Sequence, residues 1–243
     1  MEGRALAMGL KRGVDLVLAF LGLVLMSPVL LVASALVRLT SPGPALFTQK
    51  RVGRHGRVFR IYKLRTMTSQ RDQQGILLPD RDRITRVGRL LRASSVDELP
   101  QLVNILRGEM SFIGPRPLPA EYLHRYSAVQ MRRHEVLPGI ASYADIALNR
   151  SVTDWNIVFE SDVWYVDHWS LWLDVKLFVG IALMVLTRRG AEQGAAGQMP
   201  EFRPQVGRIT EAVGESTSPC VPSEHPCMSG TRRPGLAPGE KSE

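Results

Sequence analysis

The chain has 243 residues, is 44% hydrophobic and carries a net charge of +8 at pH 7. That length and apolar content bury one substantial core, which excludes a disordered protein and favours one domain or at most two. The positive balance points to polyanionic partners (nucleic acid, an anionic membrane surface or phosphorylated small molecules), and the only two cysteines, Cys220 and Cys227, lie in a polar tail, which excludes a disulfide framework or cysteine-rich metal site in the main body.

The first element is apolar. Leu16 to Val37, LVLAFLGLVLMSPVLLVASALV, runs about 22 residues without a charge, roughly what a helix needs to cross the hydrocarbon core. A signal peptide would have a shorter apolar region and a cleavage site. A buried soluble helix is rarely apolar all round for so long. Arg4, Lys11 and Arg12 precede the run, and Arg38, Lys50, Arg51 and Arg54 follow it. A straight span would place one basic cluster outside, against the positive-inside rule. Midway sits Ser27-Pro28, where proline removes a helix hydrogen bond and the serine hydroxyl can satisfy a freed carbonyl. Helix, break and helix would let the chain enter and leave by one leaflet. Residues 1–40 are therefore expected to form a re-entrant membrane anchor, with a kinked spanning helix as the alternative.

Ser41-Pro42-Gly43-Pro44 is a turn off the bilayer, and LFTQKRVGRHGRVFRIYKLRTM predicts two short basic strands around Gly53 to Gly56, with Phe59, Ile61 and Lys63 alternating against Arg60, Tyr62 and Leu64. Residues 70–82 read as a polar loop. Ile84 to Arg92 is expected as a helix, with Arg83, Arg86, Arg89 and Arg92 spaced by three on one face, either a phosphate-attracting surface or a solvated one.

The next stretch, SSVDELPQ at 94–101, sets two carboxylates before the apolar stripe Leu99, Leu102, Val103, Ile105 and Leu106, which stops at Gly108. Asp97 is expected as the N-cap, since Pro100 then falls in the first turn where its missing N–H costs nothing. A Ser95/Glu98 capping box would push Pro100 deeper into the helix. Either way both acids lie at the positive end of a helix, which favours their ionised forms and a nearby phosphate. In Gly114-Pro115-Arg116-Pro117 an arginine between two prolines has little entropy to lose, a device for gripping phosphate or an ordinary surface turn. Ala120 to Val136 predicts a surface helix ended by Pro138-Gly139. Val163 to Leu186, rich in tryptophan and tyrosine but interrupted by Asp167, Asp174 and Lys176, suits a helix in the headgroup region. Residues 191–243 have no apolar periodicity and read as a disordered tail.

These motifs in order, KRGVD, the SP within the apolar run, SPGPALFTQKRVGRHGRVFRIYKLRTM, DRDRITRVGRLLR, SSVDELPQLVNILRGEMSFIGPRP and FESDVWYVDHWSLWLDVK, resemble the bacterial sugar transferase family over about Lys11 to Gly190. These are small monotopic phosphoglycosyl transferases. The resemblance implies a mostly helical α+β fold with the re-entrant anchor, a short basic β-hairpin and interfacial amphipathic helices, and a catalytic domain over 41–190. It implies transfer of a phospho-sugar from a UDP-sugar donor to polyprenyl phosphate, releasing UMP, at the cytoplasmic face of the bacterial inner membrane. On that resemblance Asp97 would take the nucleophile's role through a covalent phosphosugar intermediate, and Asp97 and Glu98 would hold Mg²⁺. Lys63, Arg89, Arg92 and Arg116 are the phosphate-binding candidates, and Asp162 a further acid at the metal or the uridine. A homodimer and downstream glycosyltransferases are further expected partners; nucleic acid is not. One departure is the loop Ala141-Ser142-Tyr143-Ala144-Asp145, where family members follow Pro-Gly with a Thr-Gly-Trp-Ala-Gln-like stretch, a difference bearing on sugar preference or a neutral one. The competing readings are a non-catalytic basic protein binding anionic lipid or nucleic acid, and an ordinary glycosyltransferase releasing UDP.

Overall fold

The computed structural model describes residues 2–147, 154–186 and 202. The expected tail, 191–243, lies outside the described residues apart from Phe202.

The apolar run forms α1 (Glu2–Thr40), a single helix with Pro28 inside it. Pro28 has no N–H to give the carbonyl four residues back, that of Val24, and the Ser27 hydroxyl donates to that carbonyl at 2.8 Å instead. The helical turns therefore continue through the dipeptide where an interruption was expected. Most of the helix exposes Leu, Val and Phe, while one line of mostly small residues (Asp15, Ala19, Ala33 and Val37) is buried against the rest of the protein. Gly22 belongs to the same line, since a Cβ there would meet Leu102 at 3.3 Å. Small residues on this line let the helix approach closely.

The basic hairpin forms as expected from β1 (Leu46–Val52) and β2 (Val58–Leu64), antiparallel with Leu46 opposite Leu64 and Val52 opposite Val58. Phe59 and Ile61 point inward, and Lys63 continues that face. Leu64 is also buried, packing with Ala33 and Val37 of α1 and with Leu91. The expected helix over 84–92 is shorter: α2 (Asp80–Arg83) ends before it, and Thr85 caps α3 (Arg86–Ala93) by accepting from the Gly88 N–H at 2.8 Å. Arg83 is thus on a separate element, paired with Asp80, and the four arginines do not share one face.

A 3₁₀ segment, Val96–Gln101, leads into α4 (Leu102–Leu106). Asn104, fully buried in α4, accepts from the Tyr62 N–H at 3.2 Å and donates to the Arg60 carbonyl at 2.7 Å. It occupies the free edge of β2 as a third strand would, fixing α4 against the hairpin. Arg12 of α1 donates to the Ile105 carbonyl at 2.7 Å, placing a cation at the C-terminal end of α4.

β3 (Ser111–Ile113) pairs in parallel with β4 (Gly139–Ala141). Between them the expected surface helix is broken into a 3₁₀ turn Ala120–Arg125, α5 (Ala128–Met131) and a second 3₁₀ turn Arg132–Glu135. The break falls at Tyr126, whose extended backbone turns its ring onto Phe159 and Phe202, and Ser127 restarts the helix with a capping box to Gln130. Arg133 and His134 are buried, so this segment is not a surface helix.

After α6 (Tyr143–Ala147) come α7 (Trp155–His168) and α8 (Leu171–Leu186), two helices where one was expected. Asp174 explains its place in an apolar sequence. It accepts from Tyr165 Oη at 2.6 Å, Lys11 Nζ at 2.6 Å and Trp169 Nε1 at 3.0 Å, tying α8 to α7 and to the start of α1. The opposite face of α8 exposes Trp172, Val175, Val179 and Leu183 at helical spacing.

Candidate active site

Asp97 and Glu98 lie where α3, β2 and the turn after β3 converge. Thr66 follows β2 and accepts from Arg92 Nε at 2.9 Å, while its carbonyl lies so close to α3 that a Cβ on Gly88 would come within 2.0 Å of it. Arg92 is thereby held in the last turn of α3. The helix then ends at Ser95, which takes a left-handed conformation (φ 55°, ψ 14°) with its N–H on the Arg92 carbonyl. This reversal turns the chain so that Asp97 follows α3 within five residues.

The expected capping register does not occur. Ser95 is the residue before the 3₁₀ segment, it makes no side-chain cap, and Asp97 and Glu98 are both inside the first turn. The tighter 3₁₀ winding accommodates Pro100 without needing Asp97 as a cap. The Asp97 carboxylate is consequently not used up on the backbone: the residue is 9% exposed, no hydrogen bond to its side chain is seen among the described residues, and its oxygens are not among their fully buried unpaired atoms, so they reach solvent. Burial and the neighbouring Glu98 charge raise its pKa to about 6, against the opposing pull of Lys63, Arg92 and Arg116.

Glu98 has the opposite environment. Its Oε1 accepts from Lys63 Nζ and Arg116 Nη2, each at 2.6 Å. Burial alone would raise its pKa, but these two cations overcome it and hold the carboxyl near 2. Burial draws Lys63 downward against the Glu98 charge, whereas Glu98 raises Arg116 further. Two adjacent carboxylates thus divide into an ionised organiser of cations and an unbonded, less acidic group, facing a local excess of positive charge. That arrangement suits an anionic diphosphate brought to a carboxylate nucleophile.

Arg116 is placed by close backbone packing. A Cβ on Gly114 would fall 2.3 Å from the Leu137 carbonyl, and one on Gly139 would fall 2.2 Å from the Gly114 nitrogen, so only glycine lets β3 and β4 meet here. Arg116 Nη1 reaches the Ile140 carbonyl at 3.4 Å, and the Asp145 charge also acts on it, so the divergent loop 141–145 adjoins this arginine. Ser142 donates its N–H and hydroxyl to Asp145 Oδ2 at 2.9 and 2.8 Å.

The structure therefore gathers Asp97, Glu98, Lys63, Arg92 and Arg116. Arg89 is exposed on α3 and is not part of the group. Asp162 is not at its open face either: 1% exposed, it faces Arg133, accepting from Nε at 3.0 Å and Nη2 at 2.6 Å. Ser27 and Pro28 belong to α1 and are remote in role from these contacts. Among the described residues no cluster of three or more His, Cys, Asp or Glu could hold a metal. A hard cation at this site would have only Asp97 and Glu98 as carboxylate ligands, with Glu98 Oε1 already accepting from Lys63 and Arg116, and would complete its shell with phosphate and water. Sequence reasoning missed Asn104, Arg133 and Thr66. Asn104 was legible as the polar interruption of the stripe LVNIL; Thr66 and Arg133 carried no local signal.

The sequence profile of the family described as Bacterial sugar transferase matches residues 6–188. The chain is 48% identical to the sugar transferase EpsL of Bacillus subtilis (strain 168), over 76% of this chain and 91% of that protein. It is 42% identical to a UDP-glucose:undecaprenyl-phosphate glucose-1-phosphate transferase of Caulobacter vibrioides, over 74% and 71% of the two chains. It is 40% identical to a UDP-N-acetylgalactosamine-undecaprenyl-phosphate N-acetylgalactosaminephosphotransferase of Aeromonas hydrophila, over 75% of this chain but only 45% of the relative.

Proposed function

Since the chain belongs to the bacterial sugar transferase family, we propose that it moves a phospho-sugar from a UDP-sugar to polyprenyl phosphate at a membrane surface. The two relatives named for undecaprenyl-phosphate chemistry use different sugars, which supports the reaction class without choosing the donor. The observation that carries the reading is the largely buried Asp97, whose carboxylate makes no hydrogen bond among the described residues and lies in the field of Lys63, Arg92 and Arg116.

In the first half-reaction an Asp97 Oδ attacks the sugar-bearing phosphorus of the donor. A bond forms between the aspartyl oxygen and that phosphorus, and the phosphoanhydride bond breaks, with its electron pair leaving on UMP. In the second, a phosphate oxygen of the polyprenyl carrier attacks the same phosphorus. The acyl-phosphate O–P bond breaks with its electron pair returning to the Asp97 carboxylate, and polyprenyl diphosphate sugar results. Arg116, Lys63 and Arg92 offset the repulsion between diphosphate and carboxylates and orient the transferring group. Asp97 and Glu98 would hold Mg²⁺, which when bound supplies charge neutralisation on the phosphate oxygens and on the leaving UMP.

The anchor is read as re-entrant. Arg4 reaches the Val166 carbonyl and Val37 packs on Leu64 of the same body. Both ends on one body support entry and exit through one leaflet, the cytoplasmic one by its basic flanks. The exposed apolar face of α8 supports its lying in the same interface.

The test is purified full-length chain with Mg²⁺, undecaprenyl phosphate and a panel of UDP-sugars, followed by identification of the released nucleotide. UMP with one or more donors is expected. UDP as the product, or no nucleotide release from any donor, contradicts the reading.

A further inference from the structure

The turn that presents Arg116 cannot hold itself together. In Pro115-Arg116-Pro117-Leu118-Pro119, three of the five residues have no N–H, so the turn has few donors to pair with its own carbonyls. Instead four consecutive carbonyls each accept from outside. Pro115 O receives the Gly139 N–H at 3.0 Å, and Leu118 O receives the Val52 N–H at 3.1 Å. The two between them are held by guanidiniums: Arg116 O by Arg133 Nη2 at 2.8 Å, and Pro117 O by Arg51 Nη1 at 3.2 Å.

Of these anchors, Arg133 is the one that grips Arg116 itself, and it is built into the interior. It is 2% exposed, its charge is balanced by Asp162 at 2.6 Å, and its guanidinium lies over the rings of Phe159 and Tyr126 at 5.3 and 5.8 Å. One nitrogen, Nη2, serves both Asp162 and the Arg116 carbonyl. Because Asp162 neutralises Arg133, the pair fixes the turn without adding charge that competes with Arg116 for Glu98. The planar guanidinium can meet Asp162 through Nε and Nη2 while reaching the carbonyl, and a lysine ammonium cannot reproduce that geometry.

We propose that Arg133, held by Asp162, is a positioning residue that acts through Arg116: it sets the backbone from which Arg116 reaches Glu98 and the donor's phosphate. This rests on the reading above that Arg116 grips the transferring phosphate, and it gives the buried Asp162 a role behind the site in place of one at the metal or the uridine.

The experiment is a double-mutant cycle in the full-length chain, reading UMP release with the best donor. Arg133→Lys in the otherwise natural chain is expected to lower kcat by about 30-fold or more with a KM change under about 3-fold, as for a misplaced transition-state contact. In an Arg116→Ala background the same substitution is expected to cost under about 3-fold, because the side chain it positions is already removed. Asp162→Asn, which keeps the side chain's size, should repeat the pattern and carries the cycle if Arg133→Lys does not melt cooperatively. Equal losses in both backgrounds overturn the proposal, as does loss of a cooperative melt in both variants, which assigns the pair to folding alone. A natural chain that releases no UMP overturns the functional reading and this inference together, whereas an active chain with additive losses overturns only the inference.

Discussion

Asp97 and Glu98 are neighbours in sequence with opposite acidities, and the difference lies in what each touches. Glu98 is bonded to two cations and is held near 2, while Asp97 is buried without a bond and raised to about 6. Raised in the folded state above its ordinary 3.8, Asp97 contributes stability only at low pH and loses it as pH rises through about 6. Asp97→Asn should therefore abolish turnover while stabilising the metal-free fold at pH 7.5, by at most about 3 kcal/mol, with no gain at pH 4. Thermal melts of both proteins in EDTA at the two pH values check this. The rate of the first half-reaction should fall at low pH as Asp97 is protonated, with Mg²⁺ moving the midpoint below that of the metal-free site. Glu98, depressed from its ordinary 4.5, stabilises the fold above that value and loses this only as pH falls toward 2. Glu98→Gln should leave Lys63 and Arg116 without their counter-charge and cost about 3 kcal/mol in chemical denaturation. The sequence made these two acids conspicuous, but not their division of labour. That depends on Lys63 and Arg116, distant in the chain, converging on one oxygen of Glu98.

Elements formed by local patterning were the legible ones. Alternation defined the β1–β2 hairpin, and the apolar stripe defined α4. Where a long-range contact decides the local structure, expectation and outcome part. Tyr126 leaves helical geometry because its ring belongs with Phe159 and Phe202, and Asp174 interrupts an apolar helix because Tyr165, Trp169 and Lys11 meet it. Register between elements depends on single residues of the same kind. Asn104→Ala should leave the Tyr62 N–H and Arg60 carbonyl unpaired in the interior and cost about 2–4 kcal/mol in denaturant unfolding. Gly88→Ala should push α3 off the Thr66 carbonyl, displacing Arg92, and lower kcat as well as the melting temperature.

For the molecule as a whole, the anchor and the catalytic body are one packed unit: α1 buries Ala19 against Phe59, Ile61 and Leu102, and buries Ala33 and Val37 against Leu64 and Leu91. The apolar run and flanking charges of α1 were readable from the sequence; its extent over Glu2–Thr40 and its continuity through Pro28 were not, the latter because it depends on where the Ser27 hydroxyl points. If the anchor is re-entrant, cysteines introduced as Ala5→Cys and Lys50→Cys in a Cys220→Ser/Cys227→Ser chain should be labelled from the same side of sealed vesicles. Labelling from opposite sides would establish a span. Such an anchor would place Asp97 where a soluble nucleotide sugar and a lipid phosphate both arrive, and the proposed chemistry divides into two halves that can be separated by withholding the lipid. The most direct measurement is the intact mass of the full-length chain after incubation with Mg²⁺ and a reactive UDP-sugar but no polyprenyl phosphate, with the modified site mapped by peptide fragmentation. The account predicts one added phospho-sugar on Asp97, an equivalent of UMP released, and neither in Asp97→Asn. An unmodified chain that releases UMP only once polyprenyl phosphate is present would contradict it.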